Sequence, residues 1–237
     1  MTVSDTPTFL AQLRTRGWAV AQAVALDADN AALRQLGEQL GEVSIQGNHT
    51  GAPNLESLGV NRVEAMEQPM RDGVGNEVFS SNSALFPLHT DDSFSARPAR
   101  YVLMHCWQAD PAGGESFVAH VDEILALCDS AMVQRLHTTA YPTPSGQATV
   151  LGTDESGATT IRFNCRDMHS FAKLRKVALS PQASDDLVGL EAAAMQCLQR
   201  VQLQAGDCIA VDNHRVLHGR SAFDPRSRRL LKRLRIQ

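Results

Sequence analysis

The stretch "YVLMHCWQADPAGGESFVAHV", residues 101–121, decides the fold class of this chain. Its first eight residues are rich in β-branched and aromatic side chains, which favour a strand over 101–108. "DPAGG" then combines an aspartate, a proline and two glycines, the residue types that form turns. "ESFVAHV" (115–121) resumes the strand pattern. The segment therefore predicts two short strands joined by a turn, and with them a β-rich fold.

The same pattern continues on both sides of this segment. "ATVLGT", "DESG" and "TTIRFN" (159–164) predict a hairpin, "WAVAQAV" a strand near the N-terminus, and "RRLLKRLRI" a strand near the end of the chain. Helices are predicted for "TFLAQLRTRG", which ends at Gly17, for "DADNAALRQLGEQLG", and for residues 121–135 and 185–201. Many short strands with few helices indicate a mainly β fold with flanking helices, arranged as a sandwich or a barrel.

The composition is that of one globular domain spanning residues 1–237, with 43% hydrophobic and 20% charged residues. A net charge of −4 and 5% aromatic residues predict no nucleic-acid partner. No apolar run approaches the roughly 20 residues that a membrane-spanning helix needs, and the N-terminus lacks the apolar centre of a signal peptide. The five widely spaced cysteines predict free thiols in a reducing compartment, hence a cytoplasmic protein. The sequence leaves a homo-oligomer open.

The residues that carry chemistry lie in "FPLHTDDSF", residues 86–94. His89 and Asp91 are two residues apart, so a strand would present both on one face. A third metal ligand is available at His218 in "VDNHRVLHGR", after a strand-like "CIAV". Two histidines and one carboxylate form the facial triad of non-heme Fe(II) oxygenases. His214 is an alternative ligand because it lies four residues before His218, but that spacing suits a helix and the surrounding residues predict strand and turn.

Four motifs of this chain occur together in a known family. "LHTDDSF", "PAGGES", "VDNHRVLHGRSAF" and "RRLLKRLRI" resemble, in the same order and with similar gaps, the taurine dioxygenase/TfdA-like family of Fe(II)- and 2-oxoglutarate-dependent dioxygenases. The resemblance implies a double-stranded β-helix, which is a jelly-roll barrel with helices packed outside it. It also implies iron held by His89, Asp91 and His218. In the family pattern the first acidic residue after the histidine is the ligand, so Asp91 is the ligand and Asp92 is not. Asp92 then supports the ligands, faces the substrate, or belongs to a capped turn.

The resemblance also implies residues for the cosubstrate 2-oxoglutarate. The far carboxylate of 2-oxoglutarate needs a cationic anchor, preferably a bidentate arginine. The family places this arginine on the last strand, and Arg229, eleven residues after His218, fits best. Arg228 is the adjacent candidate, but strand alternation would turn it to the opposite face. In the same pattern the hydroxyl of Ser116, after the double glycine, helps to hold that carboxylate.

Three further positions are candidates for contact with the primary substrate. Along the last strand, Arg233 shares a face with Arg229, and in sulfonate-using relatives the corresponding position reaches the anion of the substrate. The alternative for Arg233 is a salt bridge at the mouth of the barrel. Arg162 and Asn164, in "IRFN", stand where relatives often line the pocket.

These implications predict an enzyme that uses Fe(II), 2-oxoglutarate and O₂ to oxidise an unactivated C–H bond of a small polar, anionic molecule such as an amino acid or a sulfonate. Hydroxylation is the usual outcome in the family, and desaturation or cyclisation stays open. Halogenating members lack the carboxylate ligand, so Asp91 argues against halogenation. Two other classes remain as alternatives. A zinc hydrolase could use the same three ligands, and a non-catalytic barrel that binds a small anion could keep the arginines.

Overall fold

The computed structural model of the chain describes residues 6–44, 54–57, 59–73, 75–144 and 146–237. The remaining positions of the predicted 1–237 domain, including part of the N-terminal segment considered above, lie outside the described residues. The helices are α1 (Thr6–Arg16), α2 (Ala31–Glu38), α3 (Val121–Leu125), α4 (Ser130–Thr138), α5 (Cys165–Leu174) and α6 (Pro181–Cys197), with a 3₁₀ turn at Phe79–Ser81. None of the helices described is long and apolar enough to cross a membrane.

The strands form two larger antiparallel sheets and two short hairpins. They are β1 (Trp18–Ala21), β2 (Leu55–Ser57), β3 (Val60–Glu64), β4 (Phe86–His89), β5 (Tyr101–Gln108), β6 (Ser116–His120), β7 (Tyr141–Thr143), β8 (Gly146–Ala148), β9 (Leu151–Thr153), β10 (Thr159–Ile161), β11 (Gln199–Val201), β12 (Cys208–Asp212), β13 (Val216–Arg220) and β14 (Leu230–Ile236). The larger sheets have the orders β1-β12-β5-β14-β3-β2 and β11-β6-β13-β4. Neither closes on itself among the described residues. The mainly β class with flanking helices is confirmed, while the closed jelly-roll barrel stays a prediction.

The core consists of three apolar layers. Val118 of β6, Val211 of β12 and Leu231 of β14 belong to one buried cluster, so the two larger sheets pack face to face. Alternate residues of the six-stranded sheet, such as Leu234, pack on the other side against α1 and α2. Alternate residues of the four-stranded sheet, such as Phe117, pack against α3 to α6. The site described below lies between the sheets, where side chains from both can meet.

Two helices differ from the sequence expectation. The helix predicted over 121–135 is divided into α3 and α4, because Asp129 interrupts it and its carboxylate accepts a hydrogen bond from the Met132 amide at 2.8 Å, as an N-cap does. The helix predicted over 185–201 begins earlier, at Pro181. The Ser180 hydroxyl caps it, and proline suits the first helical position. The last residues of the predicted helix, 199–201, form a strand instead and pair with β6.

Candidate metal centre

Two histidines face each other across neighbouring strands. β4 and β13 pair antiparallel with His89 directly opposite His218, so both imidazoles project from the same face. Their ring centroids lie 4.5 Å apart. Gly219 allows the close approach, because a Cβ there would meet the Phe86 carbonyl oxygen at 2.6 Å. The Nδ1 of His89 lies 2.9 Å from the Pro87 carbonyl oxygen, which places the proton on Nδ1 and leaves the lone pair on Nε2.

Asp91 completes a group of three ligands directly after β4. Its Oδ1 lies 3.5 Å from Nε2 of His89 and 3.7 Å from Nε2 of His218. Within the described residues this is the one group of three His, Cys, Asp or Glu side chains that could hold a metal ion, with all ligand atoms within 4.8 Å of one another. His214 lies outside the group, and its Nε2 instead lies 3.3 Å from the Pro98 carbonyl oxygen.

The backbone of Asp91 is fixed by a side chain that the sequence analysis did not single out. The buried Asn213, in the turn after β12, accepts a hydrogen bond from the Asp91 amide at 2.7 Å and donates to the Asp91 carbonyl at 3.0 Å. The side-chain nitrogen Nδ2 of Asn213 also donates to the Ala99 carbonyl at 2.9 Å. The only local signal for this role was the polar "DN" directly after the apolar "CIAV". Asn213 therefore holds the ligand loop in place against β12.

The two oxygens of Asp91 have different surroundings. Oδ1 faces the histidines and accepts a hydrogen bond from Nη1 of Arg233 at 3.2 Å. Oδ2 lies 2.9 Å from Nε of Arg235 and 3.1 Å from the same Nη1 of Arg233. Burial opposes ionisation of Asp91, but the charges of Arg233 and Arg235 hold its pKa well below the usual range. Arg235 also lies 3.2 Å from Oδ2 of Asp92, whose pKa burial raises. Asp91 is therefore a carboxylate at neutral pH.

The donor set fits a divalent metal ion. Burial, and then the neighbouring His218, lower the pKa of His89, so its imidazole is neutral as a metal ligand must be. The Nε2 of His89 is buried and has no hydrogen-bond partner. An unpartnered buried nitrogen that faces a carboxylate and a second imidazole is costly unless a ligand or metal satisfies it. Two histidines and one carboxylate are the donors of non-heme Fe(II) sites.

An inner cavity lies between the sheets beside this group. His89 and His218 form part of its wall, together with Ser116 and three arginines, Arg220, Arg229 and Arg233. The rest of its lining is apolar or hydroxyl-bearing, and no acidic side chain belongs to it. A cavity walled by cations without carboxylates is suited to an anion.

The double glycine of "PAGGES" makes room for Arg229. A Cβ on Gly114 would meet Cδ of Arg229 at 2.6 Å, and Nη2 of Arg229 donates to the Gly114 carbonyl at 3.0 Å. Arg229 is 4% exposed, whereas its neighbour Arg228 is exposed, as strand alternation predicted. Nη1 of Arg229 is buried without a hydrogen-bond partner. One guanidinium nitrogen of Arg229 is therefore held by the backbone, and another is free inside the cavity.

A larger outer cavity of about 630 Å³ opens on the other side of the metal group. Asp91, Asp92 and Arg233 contribute to its wall, together with Asn164, one of the predicted substrate residues. The side chain of Asn164 also caps α5 by accepting a hydrogen bond from the Asp167 amide. The other predicted residue, Arg162, lines neither cavity, and its Nη2 donates to the Ser95 carbonyl.

Comparison with known proteins shows which family this chain resembles. The family model for "Taurine catabolism dioxygenase TauD, TfdA family" matches residues 4–235. Clavaminate synthase 2 of Streptomyces clavuligerus is 26% identical over 189 residues, which are 76% of this chain and 56% of that protein. L-asparagine oxygenase of Streptomyces coelicolor is 28% identical over 159 residues, which are 64% of this chain and 47% of that protein. The chain thus spans about half the length of these curated relatives.

The fold is similar to that of solved asparagine oxygenase structures. A crystal structure of asparagine oxygenase in complex with Fe(II), 2S,3S-3-hydroxyasparagine and succinate superimposes with a TM-score of 0.77 at 19% identity. The superposition covers 99% of this chain and 79% of that one. At this level of identity the similarity shows a shared fold.

Proposed function

Because the chain belongs to the taurine catabolism dioxygenase TauD, TfdA family, we propose that it is an Fe(II)- and 2-oxoglutarate-dependent dioxygenase that hydroxylates a small polar, anionic molecule. The observation that carries this proposal is the juxtaposition of a buried His, Asp and His group with a cavity whose charged lining residues are all arginines. The two larger sheets are then the two halves of a double-stranded β-helix, in a single domain over residues 1–237.

In this proposal His89, Asp91 and His218 hold the iron. Bound Fe(II) supplies the activation of O₂, and in the overall reaction one oxygen atom enters the C–H bond of the substrate while the other enters succinate, with release of CO₂. The protein contributes a neutral His89, an ionised Asp91 and a ligand loop fixed by Asn213. Three ligands on one side of a metal leave positions open for the cosubstrate and O₂.

Arg229 and Ser116 hold the far carboxylate of 2-oxoglutarate in this proposal. Both line the inner cavity beside the histidines, as a cosubstrate that also reaches the iron requires. Burial lowers the pKa of Arg229 to about 10, which leaves the guanidinium charged at neutral pH. A charged group in such a place is stabilised when an anion meets it.

The primary substrate would occupy the outer cavity. Arg233 lies at the boundary, because it lines both cavities, and its Nε is buried without a partner although Nη1 contacts Asp91. Arg233 is therefore the residue that meets the anion of the substrate in this proposal, with Asn164 in the same wall, whereas Arg162 does not line the cavity. The similarity to L-asparagine oxygenase supports an amino acid over a sulfonate.

Anaerobic titration of the purified protein with Fe(II) and 2-oxoglutarate tests the proposal without knowledge of the substrate. Chelation of Fe(II) by 2-oxoglutarate is expected to produce a weak visible charge-transfer band, and Asp91→Ala should abolish it. Absence of the band in the wild-type protein would overturn the proposal. Hydrolytic activity with Zn(II) that is independent of O₂ would support the zinc hydrolase instead.

A further inference from the structure

A second arginine lies in the inner cavity with no counter-charge. Arg220, two residues after His218 on β13, is 5% exposed and lines the same cavity as His218 and Arg229. Its Nη2 donates to two backbone carbonyls, those of Phe79 and Asn82, each at 2.8 Å. These two hydrogen bonds orient the guanidinium, and with it the other terminal nitrogen, Nη1.

Nη1 of Arg220 finds no hydrogen-bond partner among the residues that the structure describes. This nitrogen is buried, and Nη1 of Arg229 is likewise buried without a partner among them. The two guanidinium groups lie near the same ring, 4.7 Å and 5.2 Å from the centroid of Phe223. The hydrogen bonds of Arg220 to the carbonyls of Phe79 and Asn82 use only Nη2. They give no role to Nη1.

The positive charges of Arg220 and Arg229 also favour an anion in the inner cavity. Arg220 and Arg229 are both buried, and both line the inner cavity. No acidic side chain lines the cavity, so the protein itself supplies no carboxylate to either guanidinium there. Asp110 acts electrostatically on Arg229 from outside the cavity lining, and two like charges buried together with so little counter-charge are expensive. A carboxylate that accepts one hydrogen bond from each Nη1 would satisfy both nitrogens and neutralise part of the charge.

We propose that Arg220 is a second cosubstrate-binding cation, which grips the far carboxylate of 2-oxoglutarate together with Arg229. This inference rests on the proposed function, because it assigns the anion of the inner cavity to that cosubstrate. It makes the cavity selective for a 2-oxo acid with a carboxylate at its far end. Ser116 lies opposite Arg220 in the β6–β13 pairing, and Arg229 lines the same cavity from the segment before β14.

The test compares two ligands that differ at one end. 2-Oxoglutarate has the far carboxylate, and 2-oxopentanoate has a methyl group in its place, while both share the groups that chelate iron. Their dissociation constants are measured by anaerobic calorimetry on Fe(II)-loaded wild type and Arg220→Met. Loss of a charge-assisted hydrogen bond should weaken 2-oxoglutarate about 10- to 100-fold. The constant for 2-oxopentanoate should stay unchanged.

Each other outcome has a distinct meaning. An equal loss for both ligands would assign Arg220 to the support of the Phe79–Asn82 backbone and overturn the inference, and so would no loss for either. If Arg220→Met does not fold, Arg220→Lys replaces it, since one ammonium cannot serve both the carbonyls and the ligand. The lysine variant should still lose more affinity for 2-oxoglutarate than for 2-oxopentanoate, and equal losses would overturn the inference. Failure of the wild type to bind 2-oxoglutarate would instead contradict the proposed function.

Discussion

Nε of Arg235 donates to Oδ2 of Asp91 at 2.9 Å, within an ion pair in which both side chains are buried. This contact occupies the oxygen that points away from the histidines, so Oδ1 remains directed at the metal position. Arg235 thereby orients the Asp91 carboxylate without itself being able to bind a metal ion. Replacing a side chain that holds a metal ligand in this way typically costs about 10- to 100-fold in metal affinity or activity.

Arg235→Met is expected to weaken Fe(II) binding by about 10- to 100-fold, because Asp91 loses the partner that fixes its rotamer. The dissociation constant is measured by anaerobic Fe(II) titration in the absence of 2-oxoglutarate, so the result does not depend on turnover. Arg226→Met is the control, since Arg226 is exposed and pairs with Asp224 away from the site. An unchanged constant for Arg235→Met would show that Arg233 alone orients Asp91.

The choice of distal ligand gives a second prediction. His218→Ala should abolish both 2-oxoglutarate turnover and the charge-transfer band, whereas His214→Ala should keep both. His218 faces His89 across paired strands, but His214 points to the Pro98 carbonyl. Circular dichroism of both variants separates loss of the ligand from loss of the fold. Wild-type turnover in His218→Ala would rule out the assignment of His218.

The strands and the ligand positions could be predicted because their signals are local. β5 coincides with the predicted 101–108, since an unbroken run of strand-forming residues is bounded by turn residues. His89 and Asp91 were proposed as ligands from a short motif, and Arg229 was proposed because the resemblance places an arginine at that distance after His218. Directly before β14, Arg229 lines the cavity while Arg228 is exposed.

The supporting side chains could not be predicted, because their roles depend on partners far away in the sequence. Arg235 and Asp91 are 144 residues apart, and Arg220 and the Phe79 carbonyl are 141 residues apart. Nothing in "LHGR" or "RLRI" distinguishes such an arginine from one on a solvated strand. Asn213 likewise acquires its role only once β12 brings it beside the ligand loop.

The stability of the helical layer gives a third prediction, which depends on pH. Asp186 of α6 is 3% exposed and accepts two hydrogen bonds from Arg135 of α4, at 2.7 Å and 2.8 Å. These bonds lower the pKa of Asp186 against the opposing effect of burial. A carboxyl whose pKa is lower in the folded state stabilises the fold above its unfolded pKa of about 4, and this contribution is lost as pH falls through the folded pKa.

Asp186→Asn should therefore lower the free energy of unfolding by about 1–2 kcal/mol at pH 7. The difference from wild type should shrink as pH falls below about 4, because the wild-type carboxylate then takes up its proton. Urea denaturation at several pH values measures both effects. Asp185→Asn is the matched control, since Asp185 is the exposed neighbour on the same helix. A difference that stays constant down to pH 3 would contradict the role of the carboxylate charge.

A fourth prediction concerns the space that Gly114 leaves for Arg229. Gly114 has a φ of +70°, and a Cβ there would overlap the Arg229 side chain. Gly114→Ala should thus weaken 2-oxoglutarate binding by displacing the anchor, in addition to a strain of about 1–2 kcal/mol from the left-handed backbone. Gly157→Ala separates the two effects, because Gly157 has a φ of +86° and no atom within 4 Å of the Cβ position. Both variants should lose thermal stability, but calorimetry should show a weaker 2-oxoglutarate constant for Gly114→Ala alone. Equal constants in the two variants would mean that Arg229 can hold the carboxylate from another position.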